Sequence, residues 1–310
     1  MEVIDNYKNF TATKKSVVTI GTFDGVHVGH QKIIEQLVNT AKKTKAKSVL
    51  LTFFPHPRMV LQKDNSIKLI NTINERIELL KNTGLDYLII HPFDKEFSRL
   101  TAFDFVRTVL VNHINTSELI IGYDHRFGKN REGNFEQLQE FGHMYDFKVN
   151  EIPAQDINNI SVSSTKIRKA LEEANIKQAN KYLGQPFSLT GKVVSGKRLG
   201  NTIGYPTANI EIKENYKLIP KKGAYLVRTS INNQNLFGMM NIGIRPTVNG
   251  EDQTIEVHLF DFNLDIYNQQ LKIELLDFIR DEQKFESLEH LKEQLLLDKT
   301  KSLSLIGGLN

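Results

Sequence analysis

His27 and His30 stand three residues apart at the end of the run Gly21-Thr22-Phe23-Asp24-Gly25-Val26-His27-Val28-Gly29-His30, which follows a β-branched segment at 17–20. From His30 onward Ile33, Ile34, Leu37 and Val38 recur at helical spacing, so both imidazoles lie on one side of a helix start. Glycines in the turn let a ligand approach the main chain, and the helix N-terminus adds free N–H donors and partial positive charge. Such a turn suits a polyphosphate and the charge that grows on it during displacement at phosphorus. A histidine pair that binds metal, or two solvated histidines, are the other uses of these residue types. Asp24 either joins the chemistry or braces the turn.

A second set of groups lies in the later half. Gly196, Gly200 and Gly204 recur every four residues, Lys197 and Arg198 bring charge, and Tyr205-Pro206-Thr207-Ala208-Asn209 follows. Glycines so spaced let backbone curl against an anion. The stretch 191–197 comes close to a P-loop, but Arg198 stands where Ser or Thr should hold magnesium, and strand rather than helix follows. The P-loop reading is therefore rejected. Thr207 and Asn209 alternate on one face of an emerging strand, and their hard oxygens suit Mg²⁺. A plain turn-rich loop is the alternative. Further on, Glu256, His258 and Phe260 share one face of a strand, with Val257 and Leu259 on the other. A carboxylate there is either a general base or an edge charge.

The elements that must hold these groups change character along the chain. Strand patterns at 17–20, 48–54, 87–90 and 118–121 alternate with helical ones from His30 and at 73–82, 103–113 and 135–145. This alternation implies a parallel sheet covered on both faces, with ligands beyond the carboxyl ends of its strands. A helix is expected over 164–183, with Ile167, Leu171 and Ala174 on one face and Gly184 closing it. Beyond Pro186, strands at 187–194, 224–230, 236–242, 254–260 and 271–279 suggest an antiparallel barrel or sandwich. A terminal helix at 288–298 carries Leu288, Leu291, Leu295 and Leu296 on the stripe expected to pack across it. Two domains of different class follow, 1–184 and 185–310.

Composition agrees and excludes much. The 310 residues suit about two domains. A net charge of +4 with no dense basic block argues against a nucleic-acid binder. With no cysteine there is no disulfide framework, thiolate metal site or cysteine nucleophile. Apolar runs fall far short of the roughly 20 residues of a membrane span, and no secretory signal shows, so the chain is expected in the cytoplasm.

The first run resembles the nucleotidylyltransferase signature His-x-Gly-His and, at full length, the opening of the bacterial bifunctional riboflavin kinase/FMN adenylyltransferase (FAD synthetase) family. Further similar stretches are Thr52-Phe53-Phe54-Pro55-His56-Pro57, Gly122-Tyr123-Asp124-His125-Arg126-Phe127-Gly128 and Ser163-Ser164-Thr165-Lys166-Ile167-Arg168. The loop ending in Pro-Thr-Ala-Asn, Asn241-Ile242-Gly243-Ile244-Arg245-Pro246-Thr247, the strand from Glu256 and the run 278–285 resemble the kinase half. Leu199 and Asn201 depart from a frequent arginine, and Ile244 from the usual threonine.

The resemblance implies a Rossmann-like α/β domain, then an antiparallel β-barrel with a C-terminal helix. It implies that riboflavin and ATP give FMN and ADP in the second domain. In the first, FMN and ATP give FAD and pyrophosphate, both steps with Mg²⁺. The adenylyl site would use Gly21, Thr22, Phe23, Asp24, His27, His30, Ser164, Thr165 and Arg168. The kinase site would use Gly196, Lys197, Arg198, Gly204, Thr207 and Asn209, with Thr207 and Asn209 on the metal and Glu256 as base. Phe54, His56, Asp124, Arg126 and Arg280 are flavin-side candidates. A chain active in one half only, or a flavin-binding regulator without catalysis, are the competing expectations.

Overall fold

The computed structural model describes residues 1–62, 67–122, 126–152, 162–196, 200, 203–247 and 250–308, with side chains of 245–252 excepted. The chain divides into two compact units, Met1–Ser164 and Thr165–Asn310.

The first unit is a six-stranded parallel sheet formed by β1 (Glu2–Ile4), β2 (Ser16–Ile20), β3 (Lys47–Phe53), β4 (Tyr87–His91), β5 (Thr116–Gly122) and β6 (Lys148–Ile152). Their order is β1-β4-β3-β2-β5-β6. Strands buried on both faces read as continuous apolar runs, and all five residues of β2 are buried. Alternate residues feed two cores. Val17, Leu50, Leu88 and Ile120 pack under α1 (Val28–Thr44), while Val18, Val49, Leu51 and Leu119 face Phe105, Val109 and Leu110. Chain order reverses at β2, which has β3 on one side and β5 on the other, so the ligand crevice opens at its carboxyl end.

The smaller helices of this unit are α2 (Pro57–Leu61), α3 (Ile73–Lys81), α4 (Ala102–Phe105) and α5 (Phe135–Tyr145). The helix expected over 103–113 is α-helical only in α4 and runs on as a π-helix, Val106–His113.

The single helix expected over 164–183 is two, α6 (Ser164–Glu172) and α7 (Ile176–Leu183). Ala174 turns left-handed at φ 59°, and Asn175 caps the second helix by accepting the Gln178 N–H. The second unit then forms a closed antiparallel barrel of β7 (Phe187–Val194), β8 (Ala208–Glu211), β9 (Gly223–Ile231), β10 (Gln234–Thr247), β11 (Gly250–Leu259) and β12 (Gln270–Asp281). The β9–β10 hairpin turns on Asn232 and Asn233, both at positive φ, as a two-residue turn requires.

The terminal helix α8 (Leu288–Gly307) is longer than expected, and its packed stripe differs. Leu288 and Leu296 are 50% and 58% exposed. Leu295, Leu305 and Ile306 pack on Ala224, Met239 and Ile279 of the barrel, with Asp298 and Ser302 buried between them.

Candidate active sites

The turn after β2 runs against ordinary backbone preference. Phe23 at φ 47° and β-branched Val26 at φ 41° are both left-handed, a conformation that costs on the order of 1–3 kcal/mol per residue unless the surroundings enforce it. Both side chains are buried, and the Val26 N–H donates to the Phe23 carbonyl at 3.1 Å. Asp24 bolts the turn in place. Only 1% exposed, its carboxylate accepts the Ile70 and Asn71 N–H groups at 3.2 Å each, with the equally buried Arg76 guanidinium 3.9 Å away. Arg76 also reaches Thr52 Oγ1 at 3.4 Å, and that hydroxyl donates to the Thr22 carbonyl at 3.2 Å. Ser164 Oγ donates to the Asp24 carbonyl at 2.9 Å. These contacts tie Asp24 to residues that follow β3 and to Ser164.

His27 is the N-cap of α1: its Nδ1 accepts the His30 N–H at 3.3 Å, so the neutral ring carries its proton on Nε2. The two imidazoles stack 3.6 Å apart at 15°, and Phe23 lies 4.7 Å from the His30 ring. Burial pushes His27 down to about 4, against the attraction of Asp24. Burial, then the neighbouring His27 and Arg76, hold His30 well below the ordinary histidine range. His30 Nδ1 is buried with no hydrogen-bond partner among the described residues. At neutral pH the site therefore offers two uncharged imidazoles at a helix N-terminus, at the switch point of the sheet.

In the barrel, Glu256 of β11 faces Asn209 of β8. Thr207, one residue ahead of β8, donates from Oγ1 to a Glu256 carboxylate oxygen at 3.5 Å. Gly196, just past β7, lies against the Asn209 amide so closely that a Cβ would collide with it. Main chain at Gly196 therefore packs directly on that side chain. A hydroxyl, an amide and a carboxylate are the hard oxygen donors that Mg²⁺ takes, so these residues fit the ion. Among the described residues no group of three or more His, Cys, Asp or Glu gathers around a point, and a cation here would fill its shell with phosphate and water oxygens.

The remaining expected site residues scatter. Gly204 is exposed in a turn closed by the Tyr205 N–H on the Gly200 carbonyl at 2.8 Å. Gly21 donates its N–H to the Leu51 carbonyl. Thr165 and Arg168 follow Ser164 on α6. Phe54 is half-buried just past β3, and His56 caps α2 by accepting the Arg58 N–H at 3.2 Å. Arg126 is exposed. Arg280 is committed to α8: Nε and Nη2 donate to the Asp298 carboxylate at 2.8–3.0 Å, and Nη1 to the Asp281 carbonyl. Asp124, Lys197 and Arg198 lie outside the described residues.

Residues 9–166 match the family model described as FAD synthetase, and 183–306 that of riboflavin kinase. The sequence is 40% identical over 299 residues, 95% of each chain, to the bifunctional riboflavin kinase/FMN adenylyltransferase of Buchnera aphidicola subsp. Schizaphis graminum. The chain belongs to the bifunctional riboflavin kinase/FMN adenylyltransferase family. The Escherichia coli K12 relative so named is 37% identical over 94% of this chain and 93% of its own. A crystal structure reported as a macrolide-efflux protein from Streptococcus pneumoniae matches with a TM-score of 0.88 at 34% identity, over 97% of this chain and 98% of that one. Among the described residues here, no helix is long and apolar enough to cross a membrane.

Within this family layout the first half is the FAD synthetase and the second the riboflavin kinase. The histidine pair falls in the first match and the Thr207–Glu256 pair in the second. Sequence reasoning missed two residues, Arg76 and Asp298. Arg76 follows a capping box in which the Thr72 hydroxyl and Glu75 carboxylate exchange backbone hydrogen bonds, a pattern legible as Thr-x-x-Glu before an apolar run. Asp298, buried on α8, carries no such local signal.

Proposed function

We propose that the two half-reactions run at these two places. At the carboxyl end of β2, FMN attacks the α-phosphorus of ATP and pyrophosphate leaves. The attacking phosphate is already ionised, so the protein has no proton to remove. Its task is alignment and neutralisation of the growing charge. The His27 Nε2–H and the first amides of α1, which precede the helix's own ladder, are donors for phosphate oxygens. Neutral rings suit this, because they donate without a counter-charge being buried. Asp24 and Ser164 hold the turn.

In the barrel, Glu256 takes the proton of the ribityl hydroxyl as its oxygen attacks the γ-phosphorus, and ADP leaves. Thr207 and Asn209 hold Mg²⁺, which when bound with ATP neutralises charge on its phosphates. The observation that carries this reading is the meeting of Thr207, Asn209 and Glu256 from separate stretches, far from the histidine pair in sequence. Incubation with riboflavin, ATP and Mg²⁺, with flavins resolved by chromatography, tests it. FMN and then FAD are the expected products, and omitting Mg²⁺ stops both steps. FMN as the final product, or FAD from added FMN alone, would confine the chain to one activity.

A further inference from the structure

We propose that His258 is a positioning residue of the kinase site, fixing through one hydrogen bond to the Pro206 carbonyl the peptide that carries Thr207 opposite Glu256. This rests on the reading of Thr207 and Glu256 given above, and it starts from how β8 begins. The register pairs Glu256 with Asn209 and Val257 with Ala208, and pairing stops there. One step further Thr207 would face His258, and the next residue back is Pro206, which has no N–H to offer a ladder. In place of a ladder bond, the Pro206 carbonyl meets His258 Nδ1 at 2.8 Å. A carbonyl only accepts, so the proton sits on Nδ1 and the tautomer is set by this contact.

The anchor itself is held on several sides. His258 pairs with Met239 across β10–β11, and at Gly238 next to it a Cβ would collide with the His258 carbonyl oxygen. The ring is 8% exposed, with Tyr205 at 5.2 Å and Phe260 at 5.9 Å, both edge-on. Pro206 has its φ set by its own ring. With its carbonyl pinned as well, the plane of the Pro206–Thr207 peptide is determined, and so is the start of the Thr207 side chain. Thr207 Oγ1 then lies within 3.5 Å of Glu256. A metal ligand and a base on opposite segments are thus kept in register by a third side chain that touches neither of them through its polar atoms.

Only Nδ1 does this work, which gives a sharp test. The amide nitrogen of Asn stands where Nδ1 stands, and that of Gln reaches the Nε2 position. In the full-length protein, His258→Asn is expected to keep kinase kcat within about threefold. His258→Gln and His258→Leu should each lose about 10- to 100-fold, the loss typical of a small misplacement. Both should also need more Mg²⁺ for half-maximal rate, with KM for riboflavin little moved. Adenylyl transfer to supplied FMN should be equal in all variants, and an unchanged barrel melting transition reports an intact fold. Should the Leu variant fail to fold, the Asn–Gln comparison decides alone. Asn and Gln losing activity alike, or Gln keeping the wild-type rate and Mg²⁺ requirement, would overturn the proposal. Glu256→Gln run alongside separates the two readings. If it is inactive while the His258 series is flat, only the His258 role falls. If it stays active, the base assignment fails, and the Mg²⁺ shift still judges His258.

Discussion

His27 does two jobs with one ring. Its Nδ1 accepts from the helix and its Nε2–H points elsewhere, so a second proton would break the cap. The folded ring takes that proton only near pH 4, the unfolded ring near 6.5. Unfolding therefore binds protons between those values, and stability falls as pH drops from about 6.5 to about 4. His30 acts in the same direction, as does His91, which burial also lowers to about 4. Each contributes at most about 1.4 kcal/mol per pH unit within the window. Melting curves between pH 7 and pH 4.5 should show the decline, and His27→Asn, which caps without titrating, should make it shallower while His30 and His91 still contribute. A melting temperature that stays level over this range would contradict the assignment. His27, His30 and Glu256 were legible as residue types in an ordered pattern. Arg76 was not, because a lone arginine in a helix reads as solvent-facing until the partners 24 and 52 residues upstream, Thr52 and Asp24, are seen to bury it.

Elements were legible where periodicity ran long enough. The β7 span, Phe187–Val194, was read to the residue, because its alternation is bounded by Pro186 and the glycine loop. β1 has three residues and β6 is largely polar, so neither rises above background. The break between α6 and α7 lacks glycine or proline, and its one sign was Asn175 with Gln178 three residues on. The stripe of α8 misled for a different reason. Its buried face includes Asp298, which hydrophobicity cannot predict, because the carboxylate is satisfied by Arg280 and Gln294. Breaking that pair leaves a charge without its partner. Asp298→Ala should destabilise the barrel by about 3 kcal/mol, lowering its melting temperature and kinase activity together while adenylyl transfer persists. Arg280→Met with Asp298→Leu should recover most of the lost stability. If the single variant melts like wild type, α8 is not clamped through this pair.

The histidine pair and the Thr207–Glu256 pair lie in different compact units, which predicts losses that do not cross over. Glu256→Gln should cut FMN formation by about 100- to 10,000-fold, the range for a lost general base, and leave FAD synthesis from supplied FMN intact. His30→Ala should do the reverse, so that FMN accumulates from riboflavin and ATP. A folded variant that loses both reactions would refute this division. The barrel adds a constraint of another kind. Because β9 joins both β10 and β12, the ring has no loose strand that can slide by itself. A strand shifted by one residue turns every side chain to the opposite face. One codon gained or lost within β8 or β11 would thus exchange Asn209 or Glu256 for a neighbour from the buried face of its strand and silence the kinase, whereas the same change at 260–269 would leave both in register. Length drift in this half of the molecule has room only in the turns.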